Sequence, residues 1–165
     1  MNQIQIELLS PDQWQRAKDL RLASLRDSAH AFGGDLESES AQSESEWRAK
    51  FEKLSYIVAS VDGTDSAIMT VENLVGDYGA KAWIGGCWSS PEYRGVGLLK
   101  AMMKYVDEHA HDKGWQRHGL GVWVDNHPAI AAYERLGFVT MGEPTLSNRI
   151  ANKFYIRMIR DAVTS

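Results

Sequence analysis

The sequence predicts one α/β (α+β) domain over residues 1–165, built on a mixed sheet of six to seven strands flanked by about four helices. Three observations carry that reading. Short apolar or alternating runs recur between helical patterns, in the order β-α-α-β-β-β-α-β-α-β-β. Two helix starts have capping-box spacing, Ser10-Pro11-Asp12-Gln13 and Ser43-Glu44-Ser45-Glu46. A glycine-bearing turn, Gly95-Val96-Gly97, joins the fourth strand to the helix after it.

Ile4, Ile6 and Leu8 alternate, so residues 3–9 read as the first strand. Trp14, Ala17, Leu20, Leu22 and Leu25 then give an apolar face of 3.6-residue period, predicting a helix over 12–28. Residues 33–46 are polar and acidic; the second capping box opens a helix over 44–54 expected to bury Trp47, Phe51 and Leu54. Runs at 56–61 and 66–75 flank Asp62-Gly63 as a hairpin, and 76–79 turns the chain into a strand ending at Ser89. A helix over 98–113 is expected to bury Leu98, Met102, Tyr105, Val106 and His109, and to stop at Gly114. Residues 117–125 read as a strand with Val122 and Val124 on one face. Asn126 caps a short helix to about Leu136, with Pro128 tolerated in its first turn. Runs at 138–141 and 153–160 supply the last two strands.

Composition narrows the function. The 18 basic and 22 acidic side chains give a net charge of −4, which argues against a nucleic-acid or anionic-membrane partner. No apolar run approaches the roughly 20 residues needed to cross a bilayer. The first residues carry neither a basic start nor an apolar signal segment, so a cytoplasmic location is expected. Cys87 is the sole cysteine, which excludes an intrachain disulfide framework and a cysteine-rich zinc site. His109 and His111 fall on different helix faces, so no metal is expected. The glycine turn is the strongest local signal. A strand feeding a small turn that opens a helix presents unpaired amides and the positive end of a helix dipole, which suits a phosphate.

Two motifs sharpen that site. Pro91-Glu92-Tyr93-Arg94-Gly95-Val96-Gly97 and Asn126-x-x-Ala129-x-x-x-Tyr133-x-x-x-Gly137-Phe138 lie in order, about 30 residues apart, with strands and helices placed around them. Together they resemble the GNAT N-acetyltransferase family, most strongly over 82–141. The resemblance implies the acyl-CoA N-acyltransferase fold, with acetyl-CoA as cosubstrate in a V-shaped cleft where the fourth and fifth strands splay. It places the pantetheine arm along Cys87, Trp88 and Ser89. It places the pyrophosphate on the turn formed by Arg94, Gly95, Val96, Gly97, Leu98, Leu99 and Lys100. Asn126 corresponds to an asparagine that bonds the cofactor arm or the acceptor side, and Tyr133 to the general acid at the cofactor sulfur. The family usually has glycine or alanine where Leu99 stands, so this larger side chain must point away from the phosphates.

The implied activity is acetyl transfer to a primary amine, with a small-molecule acceptor expected. A peptide or protein acceptor and a non-catalytic acyl-CoA-binding module are the alternatives, and homodimers are common in the family. Members that acetylate ribosomal-protein N-termini carry a glutamate five residues before the asparagine, where this chain has Gly121. The base stays unassigned, with Glu72, Asp125, His118 or a water chain open. Asn126 serves as a helix cap whatever else it does, and Tyr133 suits core packing as well as catalysis. Cys87 reads as a small buried hydrophobe, not a nucleophile. Trp83 and Trp88 are an odd number apart and are expected on opposite faces of their strand, with a place for one of them in the acceptor pocket and core or dimer packing as the open alternatives. The acidic stretch 35–46 reads as a solvated loop and helix start, with attraction of a cationic acceptor as the alternative, and the acceptor is expected among loops 28–46, 73–80 and 142–152. A dinucleotide-binding unit is disfavoured because the turn lacks the third glycine of that fingerprint.

Overall fold

The computed structural model describes residues 2–32 and 34–163. The alternating N-terminal run forms β1 (Ile4–Leu8), and Gln13 accepts the Ser10 amide at 2.9 Å just before α1 (Trp14–Ser28). Two short helices follow, α2 (Leu36–Ser40) and α3 (Glu44–Lys50). The hairpin is β2 (Leu54–Val61) and β3 (Thr64–Asn73), turned by Asp62 and Gly63, both at positive φ. Next come β4 (Ala82–Ser89), α4 (Leu98–Glu108) and α5 (Ala110–Lys113). The chain ends with β5 (Arg117–Trp123), α6 (His127–Arg135), β6 (Val139–Leu146) and β7 (Phe154–Asp161).

The seven strands form one sheet in the order β1-β2-β3-β4-β5-β7-β6. Only β4 and β5 run parallel; the other pairs are antiparallel. Both faces are covered because the central strands carry apolar residues on both sides, as in Tyr56–Ala59 of β2 and Ala67–Met69 of β3. On one face α1 buries Ala17 and Leu20 against Tyr56, Val58 and Ile68. On the other, Leu98, Met102 and Val106 of α4 pack on Ile57, Met69 and Leu120, with Ile130 and Tyr133 of α6 against the same core. Burying a large aliphatic side chain is worth about 1.5–3 kcal/mol, so these two layers dominate the fold's stability.

Several boundaries differ from the sequence expectation. Residues 36–40 are helical, because Asp35 caps them by accepting the Ser38 amide at 3.0 Å. The helix opened by Ser43 stops at Lys50: Trp47 is buried, but Phe51 is half-buried and Leu54 begins β2. The long helix breaks at His109, whose Nδ1 lies 2.8 Å from the Tyr105 carbonyl while its ring stacks on Tyr105. Tyr105 and His109 are therefore half-buried, and Met103 and Ala110 take the core positions. β5 ends at Trp123, short of Val124, and β6 runs on to Leu146.

One charged network is buried with the core. Arg160 of β7 donates to both oxygens of Asp107 at 2.7 Å, to the Leu136 carbonyl at 2.7 Å, and to His118 Nδ1 at 3.1 Å. His118 Nε2 donates to the Trp115 carbonyl at 2.7 Å. The guanidinium is paired and nearly fully bonded, which is the condition for tolerating such a charge inside. The network ties α4, the end of α6, β5 and β7 into one frame.

Candidate active site

β4 and β5 pair only through Ala82–His118 and Trp83–Gly119, and then part. The bend comes from β4. Ile68 pairs with Trp88 and Thr70 with Gly85, so Met69 alone faces two residues, Gly86 and Cys87. Gly86 sits at φ 57°, a left-handed conformation open to glycine, and makes a β-bulge. The extra residue also reverses the side-chain alternation beyond it. Trp83 and Trp88 therefore lie on the same face, contrary to the count of residues between them, and Cys87 turns toward α4 and α6.

The gap is a cleft of about 670 Å³, a volume suited to a small ligand. Trp83 lines it; Trp88 lies in the core beneath α1 and donates Nε1 to Asp27 at 2.9 Å. The Trp83 ring lies across Gly119, where a Cβ would meet it at 2.7 Å, and its Nε1 is buried without a partner among the described residues.

On the wall next to α6, Cys87 and Tyr133 face each other. Burial pushes the Cys87 thiol up to about 11, with the Tyr133 hydroxyl acting the other way. Burial, and then Cys87 itself, raise the Tyr133 hydroxyl well above the usual tyrosine range. Both groups are neutral at pH 7. Tyr133 is held edge-on to Phe138, with ring centroids 5.7 Å apart. Asn126 lies on the same wall, and its Oδ1 caps α6 by accepting the Ala129 amide at 3.4 Å.

The glycine turn sits at the far end of β4, outside the cleft wall. Gly95 and Gly97 both have positive φ, and a Cβ on either would meet nothing within 4 Å. Val96 is exposed and Lys100 points to solvent, whereas Leu98 is buried and Leu99 packs half-buried on the core. Arg94 donates to the Ser89 carbonyl at 3.0 Å and to Asp27, so its side chain braces the turn against α1.

The opposite wall of the cleft holds residues outside the two motifs. Arg21 donates Nε and Nη2 to Glu39 at 2.9 and 3.2 Å, stacks on Phe32, and approaches Gly86 through Nη1. Tyr155 occupies the space in front of Gly121, where a Cβ would lie 3.4 Å from its ring. Arg157 donates to the Tyr155 hydroxyl at 3.1 Å and to Thr145 at 2.8 Å, and pairs with Asp77 at 2.7 Å. The candidate bases fare otherwise. His118 is buried in the Arg160 network, and burial lowers its pKa. Neither Glu72 nor Asp125 lines the cleft. Among the described residues no cluster of histidine, cysteine and carboxylates suits a metal, and no helix is long and apolar enough to cross a membrane.

A mixed sheet that opens between its two parallel strands, with a glycine turn at the end of the fourth, defines the N-acyltransferase fold. The chain belongs to the acetyltransferase (GNAT) family, which it matches over residues 20–138, and is an acetyltransferase. No curated protein matches its sequence. Solved structures are similar over nearly the whole chain. A GNAT-family acetyltransferase from Streptococcus pneumoniae superposes with TM-score 0.76 at 16% identity, over 98% of this chain and 100% of that one. A ribosomal-protein-S5-alanine acetyltransferase from Vibrio fischeri gives 0.75 at 14% identity, over 96% and 93%. A spermidine N-acetyltransferase from Vibrio cholerae, in complex with CoA and spermine, gives 0.72 at 15% identity, over 97% and 96%.

Proposed function

We propose that the protein transfers the acetyl group of acetyl-CoA directly to the primary amine of a small molecule held in the β4–β5 cleft. The observation that carries this reading is the meeting of Tyr133 and Cys87 in the cleft wall just beyond the β4 bulge. The open main chain at Gly95 and Gly97 fits a pyrophosphate, because oxygens can approach those amides without meeting side chains.

In this reading the amides of Gly95, Val96, Gly97, Leu98, Leu99 and Lys100 hold the pyrophosphate, and Arg94 positions their turn. Cys87, Trp88 and Ser89 offer main-chain groups to the pantetheine arm along the edge that β5 has left. The Ser90 amide bonds back to Ser66, so by strand alternation the Ser89 N–H faces the open edge, where it polarises the thioester carbonyl. Asn126 keeps its amide NH₂ for the cofactor arm while its oxygen caps α6. Bound acetyl-CoA supplies the thioester: the neutral amine forms a C–N bond, the C–S bond breaks, and the ammonium proton passes to solvent. Tyr133 donates its proton to the departing sulfur and regains one from the solvent that took the amine's proton. The raised Cys87 thiol reports why a donor is needed there, since burial makes any thiolate at that place more basic than in water.

A small acceptor is supported by the size of the cleft and by Tyr155, which fills the room in front of Gly121. Thiol release with acetyl-CoA tests the reading across small amines and short peptides. Turnover of at least one small amine is expected; turnover of peptides alone would replace it with the protein-acceptor reading.

A further inference from the structure

The charges of the cleft are unlike those of the whole chain. The protein carries a net charge of −4, yet among the described residues the cleft wall holds three arginines, Arg21, Arg149 and Arg157, against a single carboxylate, Glu39. Glu39 is held by Arg21 beside the β4 bulge, where Arg21 Nη1 would lie 3.7 Å from a Cβ on Gly86. Arg149 and Arg157 come from different elements, the β6–β7 connection and β7. Arg149 is exposed and carries no ion pair among the described residues. Arg157 pairs through Nε with Asp77 at 2.7 Å, a carboxylate outside the cleft wall, and bonds Thr145 and the Tyr155 hydroxyl through Nη1 and Nη2; this orients its guanidinium and leaves two of its five N–H groups for a ligand, while the uncompensated charge at this place is that of Arg149.

These cations are not placed for the cofactor phosphates. None of residues 95–100 lines this cleft, and the amides that suit a pyrophosphate are on that turn. The acidic residues of 35–46 do not offset them either. Only Glu39 reaches the cleft; Glu44 pairs with Arg48, and Glu46 is engaged by Ser43.

Given the acetyl-transfer reading above, on which this rests, we propose that the acceptor is an amine that also carries a carboxylate. Its amine lies toward the bulge and Glu39, and its carboxylate is received by Arg157 and Arg149, with the rings of Trp83 and Tyr155 along its apolar part. A guanidinium fork matches a carboxylate in geometry as well as charge, and a polycation beside these arginines would meet like charge.

The test compares acceptors that differ only in the carboxylate: L-phenylalanine with phenethylamine, and 4-aminobutyrate with butylamine, alongside spermidine. Thiol release from acetyl-CoA is followed at saturating donor. Each carboxylate-bearing amine is expected to exceed its partner in kcat/KM by about ten-fold or more, the usual worth of a hydrogen bond to a charged group. R149Q, at an exposed position, is expected to raise KM for those acceptors several-fold while acetyl-CoA Kd stays within two-fold; R157Q is expected to act more strongly. Equal or better turnover of phenethylamine, butylamine or spermidine overturns the proposal, and so does a wild-type preference that R149Q and R157Q both leave intact. If acetyl-CoA binds but no amine releases thiol, the acetyl-transfer reading fails by itself. Calorimetric titration of L-phenylalanine into CoA-loaded protein then decides the carboxylate site: binding lost in R149Q sustains it, and no binding to the wild type overturns it.

Discussion

The carboxylate of Asp27, near the end of α1, accepts a hydrogen bond from Arg94 in the turn that leads into α4, 67 residues away. The same oxygen also accepts from Trp88 at 2.9 Å and from the Ser28 hydroxyl at 2.6 Å. One side chain thus joins α1, the end of β4 and the glycine turn. Ser28 first, then Trp88 and Arg94, lower its pKa from 3.8 to about 2. A depressed folded value contributes stability that is present above the unfolded value and lost as pH falls from about 4 to about 2. Asp27→Asn is expected to lower Tm at pH 7, with the difference from wild type closing over that acid interval. Acetyl-CoA Kd is expected to rise about three- to five-fold, in line with about 1 kcal/mol for an exposed charge pair. Thermal melts from pH 2 to 7 and calorimetric titration check both; an unchanged Kd would show that Arg94 does not position the turn.

The pH dependence follows from Tyr133. A general acid must hold its proton, and the Tyr133 hydroxyl is raised well above the tyrosine range. The amine must lose a proton, and its ordinary pKa is about 10.4. The rate is therefore expected to climb with pH through 7–9, following amine deprotonation, with no alkaline fall before about pH 10. A bell-shaped kcat profile with a falling limb near 8 would assign the acid elsewhere.

Gly119 is the floor on which Trp83 lies, with a Cβ at that position 2.7 Å from the ring. Gly119→Ala is expected to tilt the indole into the cleft and cost about 1–3 kcal/mol, the range for overpacking. Acceptor KM should rise while acetyl-CoA Kd holds. Urea titration and steady-state kinetics read the two effects separately.

Leu99 departs from the small residue usual at its place, and its side chain packs half-buried on the core. Leu99→Ala is expected to lose about 1–2 kcal/mol of stability, less than a fully buried leucine would. Acetyl-CoA Kd should change by less than two-fold, because the amide stays in place. Tighter binding by ten-fold would mean that the leucine obstructs the phosphates.

Much of the fold was legible because apolar periodicity and caps act locally. Asp62-Gly63 turned the hairpin as expected, Asn126 capped α6, and Gly114 ended the helical stretch. The misplacement of Trp88 has one cause: strand alternation counts residues, and the bulge adds one. The adjacent pair Gly85-Gly86 inside a strand pattern was the available signal for it. Asp35 could likewise have been read as the cap of a helix at 36–40. Arg157 and Tyr155 carried no local signal, and Arg21 was marked only as part of the Leu20-Arg21-x-x-x-Leu25 pattern, without a role in the site. They reach the cleft because β7 pairs between β5 and β6 and because α1 crosses the bulge, relations set by topology. Of the loops expected to hold the acceptor, Ala31, Phe32, Gly34 and residues 147–149 line the cleft, and Asp77 pairs with Arg157.

Tyr133→Phe keeps the ring against Phe138 and removes only the hydroxyl that faces Cys87. Measuring kcat and acetyl-CoA Kd on this variant addresses the proposed chemistry most directly. The expected result is kcat lower by about 10²-fold, within the range for general acid catalysis, with Kd within two-fold of wild type. An unchanged kcat would contradict the assignment of Tyr133 as the proton donor, and with it the chemistry placed in this cleft.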